Sequence, residues 1–117
     1  MKVTLLKSKL HGVTVTATEL RYDGSITIDS ELLKQAKMLT GEQVHVLNMN
    51  NGARFITYTI PAPAHSGEVV LNGPAARLGT VGDILIVLAY CELSSQEAVS
   101  HQPILRYVDE SNIIRKK

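Results

Sequence analysis

The chain has 117 residues, 44% hydrophobic and 20% charged, with a formal net charge of +1. That is enough for one domain with one core, here taken as residues 1–117, and the charge balance excludes the basic footprint of a nucleic-acid or anionic-membrane binder. The longest apolar run, Ile84 to Tyr90, is far too short to span a membrane, and the single cysteine, Cys91, excludes an internal disulfide framework. No basic segment leading into an apolar one opens the chain, so no signal peptide is expected and a cytoplasmic address is.

Val3 to Leu10 and Val13 to Ala17 carry aliphatic and β-branched residues at strand spacing around Gly12, which predicts two short strands or one bent strand. Glu19 to Tyr22 leads to a turn at Gly24, and Ile26 to Ile28 is a short strand. Asp29 is placed to cap a helix with Leu32, Leu33, Ala36 and Leu39 on one face, stopped by Thr40-Gly41. Gln43 to Leu47 and Arg54 to Ile60 flank Asn51-Gly52, a hairpin signal, with Pro61 and Pro63 expected to end the second strand. Val69 to Leu71 leads into a helix of one or two turns over 72–79, with Pro74 near its start and Gly79 past its end. Ile84 to Ala89 suits a strand buried on both faces, and Cys91 behind it reads as a buried structural thiol. Ser94 and Glu97 fit a capping box, Ile104 to Val108 is a last strand, and 115–117 read as a frayed tail. Many short strands, few helical turns and no internal repeat predict a mainly β fold of small-barrel type.

Chemistry concentrates in five stretches. They are Lys9-Leu10-His11, Tyr22-Asp23-Gly24-Ser25, Asn51 to Tyr58 (Asn-Gly-Ala-Arg-Phe-Ile-Thr-Tyr), Asn72-Gly73-Pro74-Ala75-Ala76, and Gly82-Asp83 before an aliphatic strand. Singly they are weak: a Gly-Ser pair is ordinary turn chemistry. In this order and spacing, over nearly the whole chain, they resemble the pyruvoyl-dependent aspartate 1-decarboxylases. Asp23 stands where a Glu is commoner, Gly12 where many members carry Arg, and Pro74 where the family has Ala, removing one backbone amide.

The resemblance implies a double-psi β-barrel, a homotetramer with sites at subunit interfaces, and self-cleavage of a zymogen between Gly24 and Ser25. It implies a covalent pyruvoyl group made from Ser25, acting as a lyase through a Schiff base with substrate and without metal or PLP. The reaction implied is decarboxylation of L-aspartate to β-alanine for pantothenate biosynthesis; in some bacteria an activator protein takes part. Thr57 would polarise the Gly24 carbonyl and Tyr58 would donate a proton to substrate. Arg54 and Lys9 would bind the diacid with Gly73 and Ala75, supported by His11, Tyr22 and Asn72. Asn72 stands equally well as the N-cap of the short helix. His45, His65 and His101 match nothing in the family and read as surface residues, and no group of side chains has metal-ligand spacing. Two other readings remain: an uncleaved, inactive member of the same family, and a non-catalytic β-barrel binding module.

Overall fold

The computed structural model describes residues 1–115. The run around Gly12 forms one bent strand, β1 (Lys2–Thr14), with irregularities between Leu6 and Ser8 and between His11 and Val13. Gly12 sits in the second of these at φ +99°, and a Cβ there would lie 2.9 Å from the Val108 carbonyl oxygen. At this backbone geometry any side chain would press on that carbonyl. β1 pairs antiparallel with β7 (Ile84–Ser94) from Lys2↔Ser94 to Thr14↔Ile84. β7 therefore runs well past the predicted Ala89, and Cys91 lies half-buried within it.

The remaining strands are β2 (Ala17–Glu19), β3 (Ser25–Asp29), β4 (Gln43–Asn48), β5 (Arg54–Ala62), β6 (Val69–Asn72), β8 (Ile104–Val108) and β9 (Ile114–Arg115). They form one sheet in the order β2-β6-β3-β5-β4-β7-β1-β8-β9. Its parallel pairs, β1 with β8, β2 with β6 and β3 with β5, join segments distant in sequence. Among the described residues the architecture is mainly β, with two short helices and a 3₁₀ turn, as the pattern of short apolar runs predicts.

Period-two alternation sorts the faces. Val44, Val46, Leu85, Val87 and Ala89 point inward and are wholly buried, packing with Leu10, Val13, Ile26, Ile28 and Leu71. Each of the Val, Leu and Ile side chains among them contributes about 1.5–3 kcal/mol on burial. The opposite face of β4 and β7, with His45, Leu47, Ile86 and Tyr90, is half-buried rather than fully solvated.

The first helix, α1 (Ser30–Gln35), is capped as expected: Asp29 Oδ1 accepts from Glu31 N at 2.8 Å. It ends a turn earlier than predicted, because Lys37 adopts φ +53°. That bend brings Met38 into the core and leaves Leu39 73% exposed, so Leu39 is not on the buried face. The Asn51-Gly52 connection closes as predicted, with Gly52 at φ +76° and Asn48 N donating to the Ala53 carbonyl. Pro61 does not end β5. Beyond Tyr58 the strand leaves β4 and pairs only with β3, so the missing Pro61 N–H costs no bond to β4. The Ser94–Glu97 capping box opens α2 (Ser95–Val99). Arg115 of the expected tail is paired in β9 with Tyr107; Lys116 and Lys117 lie outside the described residues.

The loop before β7 is held by Asp83. Asn48 Nδ2 donates to its Oδ2 at 2.9 Å and Thr80 N at 3.0 Å, and these bonds hold the carboxyl below its usual range. The same asparagine reaches the Leu78 carbonyl, tying the β4–β5 connection to the 78–83 loop.

Candidate active site

Ser25 is the first residue of β3 and is fully buried, although Arg21 to Gly24 just before it are exposed. Antiparallel pairing of β3 with β6 sets Ser25 directly opposite Asn72. The Ser25 hydroxyl donates to the Asp23 carbonyl at 3.2 Å and accepts from Asn72 Nδ2 at 3.0 Å. Asn72 Nδ2 also donates to Thr27 Oγ1 at 2.8 Å. Ser25 and Thr27 are two residues apart on one strand and so share a face, which lets one amide hold both hydroxyls.

Asn72 precedes the 3₁₀ turn Gly73–Arg77 but makes no side-chain cap bond. Of the two roles open to it from sequence, the structure selects the contact with Ser25. A buried amide without partners costs about 1–3 kcal/mol, so Asn72, 3% exposed, is committed to these hydroxyls.

In front of the Gly24–Ser25 bond lies a cleft of about 400 Å³, lined by Gly24, Phe55, Ile56, Thr57, Tyr58, Pro74, Ala75 and Leu78. Parallel pairing of β3 with β5 brings the Thr57–Tyr58 stretch beside Gly24, with Ile26 opposite Thr59. Thus Gly24, Ser25, Thr57, Tyr58, Asn72, Gly73 and Ala75 converge in one region. Tyr22, two residues before Gly24, is 53% exposed.

Arg54, Lys9 and His11 do not join this group within one chain. Arg54 lines a second cleft, of about 480 Å³, with Thr4, Glu42, Gln43, His45 and Tyr90. There its guanidinium lies 3.2 Å from His45 Nδ1 and donates to the Tyr90 hydroxyl at 3.2 Å. Since Arg is always a donor, a hydrogen bond here requires His45 Nδ1 to be the acceptor. Lys9 and His11 are on β1, separated from β3 by three strands in sheet order. Lys9 Nζ lies 5.9 Å from the centroid of the Tyr107 ring, and the His11 and Tyr107 rings are 5.4 Å apart.

Several partners escaped the sequence reading. Thr27 was open to discovery from its spacing to Ser25. His45 and Tyr90 depend on the β5-β4-β7 order, and Tyr107 on the parallel pairing of β1 with β8, neither of which leaves a local signal. Two histidines read as plain surface residues are otherwise: His45 holds Arg54, and half-buried His101 bonds the Leu6 carbonyl through Nε2 at 2.7 Å. Among the described residues no group of three or more His, Cys, Asp or Glu side chains could hold a metal ion.

Residues 1–115 match the family model described as aspartate decarboxylase. The chain is 55% identical over 111 residues to a protein of Gloeobacter violaceus named aspartate 1-decarboxylase 1, covering 95% of this chain and 94% of that one. It is 52% identical over 116 residues to the aspartate 1-decarboxylase of Salinibacter ruber, covering 99% and 80%. Among solved structures it is similar to a rationally designed protein, mkDPBB_sym_86, at 15% identity and a TM-score of 0.49, over 68% of this chain and 91% of that one. The chain belongs to the aspartate decarboxylase family.

Proposed function

We propose that this chain is a self-processing decarboxylase that converts L-aspartate to β-alanine and CO₂ through a pyruvoyl group made from Ser25. The observation that carries the reading is the buried Ser25 hydroxyl, bonded by Asn72, at a peptide bond whose Gly24 side opens on a cleft with Thr57 and Tyr58.

Self-cleavage follows from these atoms. Ser25 Oγ attacks the Gly24 carbonyl carbon and forms a tetrahedral oxyanion. Thr57 is the hydroxyl donor in the cleft suited to that charge. Collapse breaks the C–N bond and leaves an ester, with the Ser25 nitrogen freed as an amine. Loss of the Ser25 α-proton then expels the Gly24 carboxylate; the dehydroalanine left behind hydrolyses to the ketone and releases ammonia. The products are chains 1–24 and 25–117. Gly24 suits the step because it lacks a Cβ to obstruct the approach.

Once formed, the ketone supplies the electron sink that PLP supplies elsewhere, so the chemistry calls for neither PLP nor metal. Ser25 is where such a group fits: buried, next to Asn72 as a donor, and open to the cleft through Gly24. The chain's own residues do the rest. Gripping the departing carboxylate would stabilise the ground state and slow its loss. The forked Arg54 guanidinium therefore holds the retained side-chain carboxylate. Lys9 adds the second cation for a dianion, with His11 beside it. Tyr58 delivers the proton to the carbon that loses CO₂. Tyr22 flanks the opening, and Gly73 and Ala75 offer backbone contacts.

Assembly belongs to the same reading. Arg54, Ile56 and Tyr58 alternate onto the exposed face of β5, with Ile56 57% exposed. Lys9 and His11 are half-buried on β1. A homotetramer that covers this half-apolar face brings the cations of one copy to the cleft of another. The setting is a cytoplasmic one, in pantothenate biosynthesis.

An intact mass spectrum before and after warm incubation tests the proposal. Two species, 1–24 and a 25–117 chain with a blocked first residue, are expected; a chain that stays whole with no activity on aspartate overturns it. Exchanging Arg54 for Lys keeps the charge but loses the fork, so Arg54→Lys is expected to raise KM about tenfold or more with self-cleavage unchanged. An unchanged KM removes Arg54 from the substrate site.

A further inference from the structure

Gly73 is buried, at φ +62°, and it touches the segment that must be cut. A Cβ at position 73 would strike the Tyr22 carbonyl oxygen and would lie 2.9 Å from the Gly24 nitrogen and 3.0 Å from its Cα. All three neighbours are backbone atoms, which cannot swing aside as a flexible side chain can. On the next residue, Pro74 Cδ lies 3.4 Å from where a Gly24 Cβ would stand. On the residue before, Asn72 holds Ser25 Oγ at 3.0 Å. Three consecutive residues thus grip both reactants of the cleavage step: the nucleophile through Asn72, and the residue carrying the scissile carbonyl through Gly73 and Pro74. This short segment is anchored, because Asn72 is paired in β6 opposite Ser25 and Gly73 begins the 3₁₀ turn.

We propose that Gly73 is a positioning residue for self-cleavage: its bare Cα lets the chain close on Tyr22–Gly24 and fixes the Gly24 carbonyl carbon against Ser25 Oγ. The role rests on the self-cleavage reading and differs from a backbone contact with substrate. It acts before any substrate binds. The step it serves is the acyl shift, in which the Gly24 carbon exchanges its bond to the Ser25 nitrogen for one to Oγ. The barrier to such a step depends steeply on alignment, and a displacement of about 1 Å can cost 10²-fold.

The test compares Gly73→Ala with Gly41→Ala. Gly41 also has a left-handed backbone, at φ +81°, but nothing lies within 4 Å of its would-be Cβ. Both variants carry the backbone cost of alanine at positive φ; only Gly73→Ala presses on the scissile segment. Cleavage is followed by mass, with and without brief treatment with neutral hydroxylamine, which cuts an ester between residues 24 and 25; a cut at Asn51-Gly52 or Asn72-Gly73, bonds that alkaline hydroxylamine attacks, is told apart by its fragment masses. Gly73→Ala is expected to slow appearance of 25–117 tenfold or more with no hydroxylamine-sensitive species accumulating, and Gly41→Ala to stay within about twofold of the parent. Gly73→Ala cleaving within twofold of the parent, or accumulating ester, overturns the proposal. If Gly73→Ala does not fold, the order parameter of the Gly24 amide in Ser25→Ala decides. A value near that of rigid backbone, about 0.85, is expected, and one below about 0.6 overturns the role. A parent chain that never cleaves is a different result, overturning the self-cleavage reading and this inference together.

Discussion

Ser25→Ala is expected to leave the chain whole through prolonged warm incubation and without any release of CO₂ from aspartate. The substitution removes one oxygen from a fully buried site and keeps the backbone of β3. Asn72 Nδ2 retains Thr27 Oγ1 as an acceptor, so its amide is not left without a partner, and the fold survives with a loss of about 1–3 kcal/mol. With no hydroxyl at position 25, nothing at that position can attack Gly24, no ester forms, and the α-carbon has no leaving group to expel. The effect is therefore total rather than graded. Circular dichroism and thermal unfolding check the fold, and intact mass with a CO₂ assay checks the chemistry. CO₂ release by Ser25→Ala above background would sink the pyruvoyl reading outright.

The second large effect is expected at Tyr58. Tyr58→Phe keeps the ring in the cleft and deletes the one phenol that lines it together with Gly24 and Thr57. If Tyr58 supplies the proton, cleavage proceeds at the parent rate, kcat falls by about 10²–10⁴, and KM changes little. The split between cleavage and turnover matters, because a tyrosine that only packed the cleft would shift both or neither. The phenol is 38% exposed, so its loss leaves no buried donor unpaired and the stability change stays small. Rapid-quench turnover on fully processed protein makes the measurement. Parent-like kcat in Tyr58→Phe passes the role to another group.

Much of the local structure was legible because local rules governed it. Asp29 caps α1 through its own side chain, Ser94 and Glu97 bond reciprocally, and Gly52 takes the left-handed turn that Asn-Gly predicts. Ile84 to Ala89, expected to be buried on both faces, buries Leu85, Val87, Leu88 and Ala89 but leaves Ile86 half-buried and Ile84 39% exposed. The misses share one cause, a tertiary partner overriding local propensity. Leu39 turned outward when Lys37 broke the helix, and Pro61 stayed in its strand because β3, rather than β4, accompanies β5 there. Arg115, expected to fray, pairs through β9 with β8.

The candidate site divides along the same line. Ser25 behind Gly24, the Thr57-Tyr58 pair and Asn72 were visible as residue types in order, and so was the family they resemble. By itself the sequence determined the alternation of the strands, their caps and turns, and the inventory of groups able to carry the chemistry. Only the tertiary structure decided that Asn72 serves the Ser25 hydroxyl and not a helix end. It also decided that Gly73 closes on Tyr22 and Gly24, and that Arg54 and Lys9 stand apart from the Gly24 cleft within one chain. The physical reason is range. Caps, turns and strand alternation act over a few residues, whereas the pairings of β3 with β6 and β5, 33 to 47 positions apart, are set by which apolar faces can be buried together.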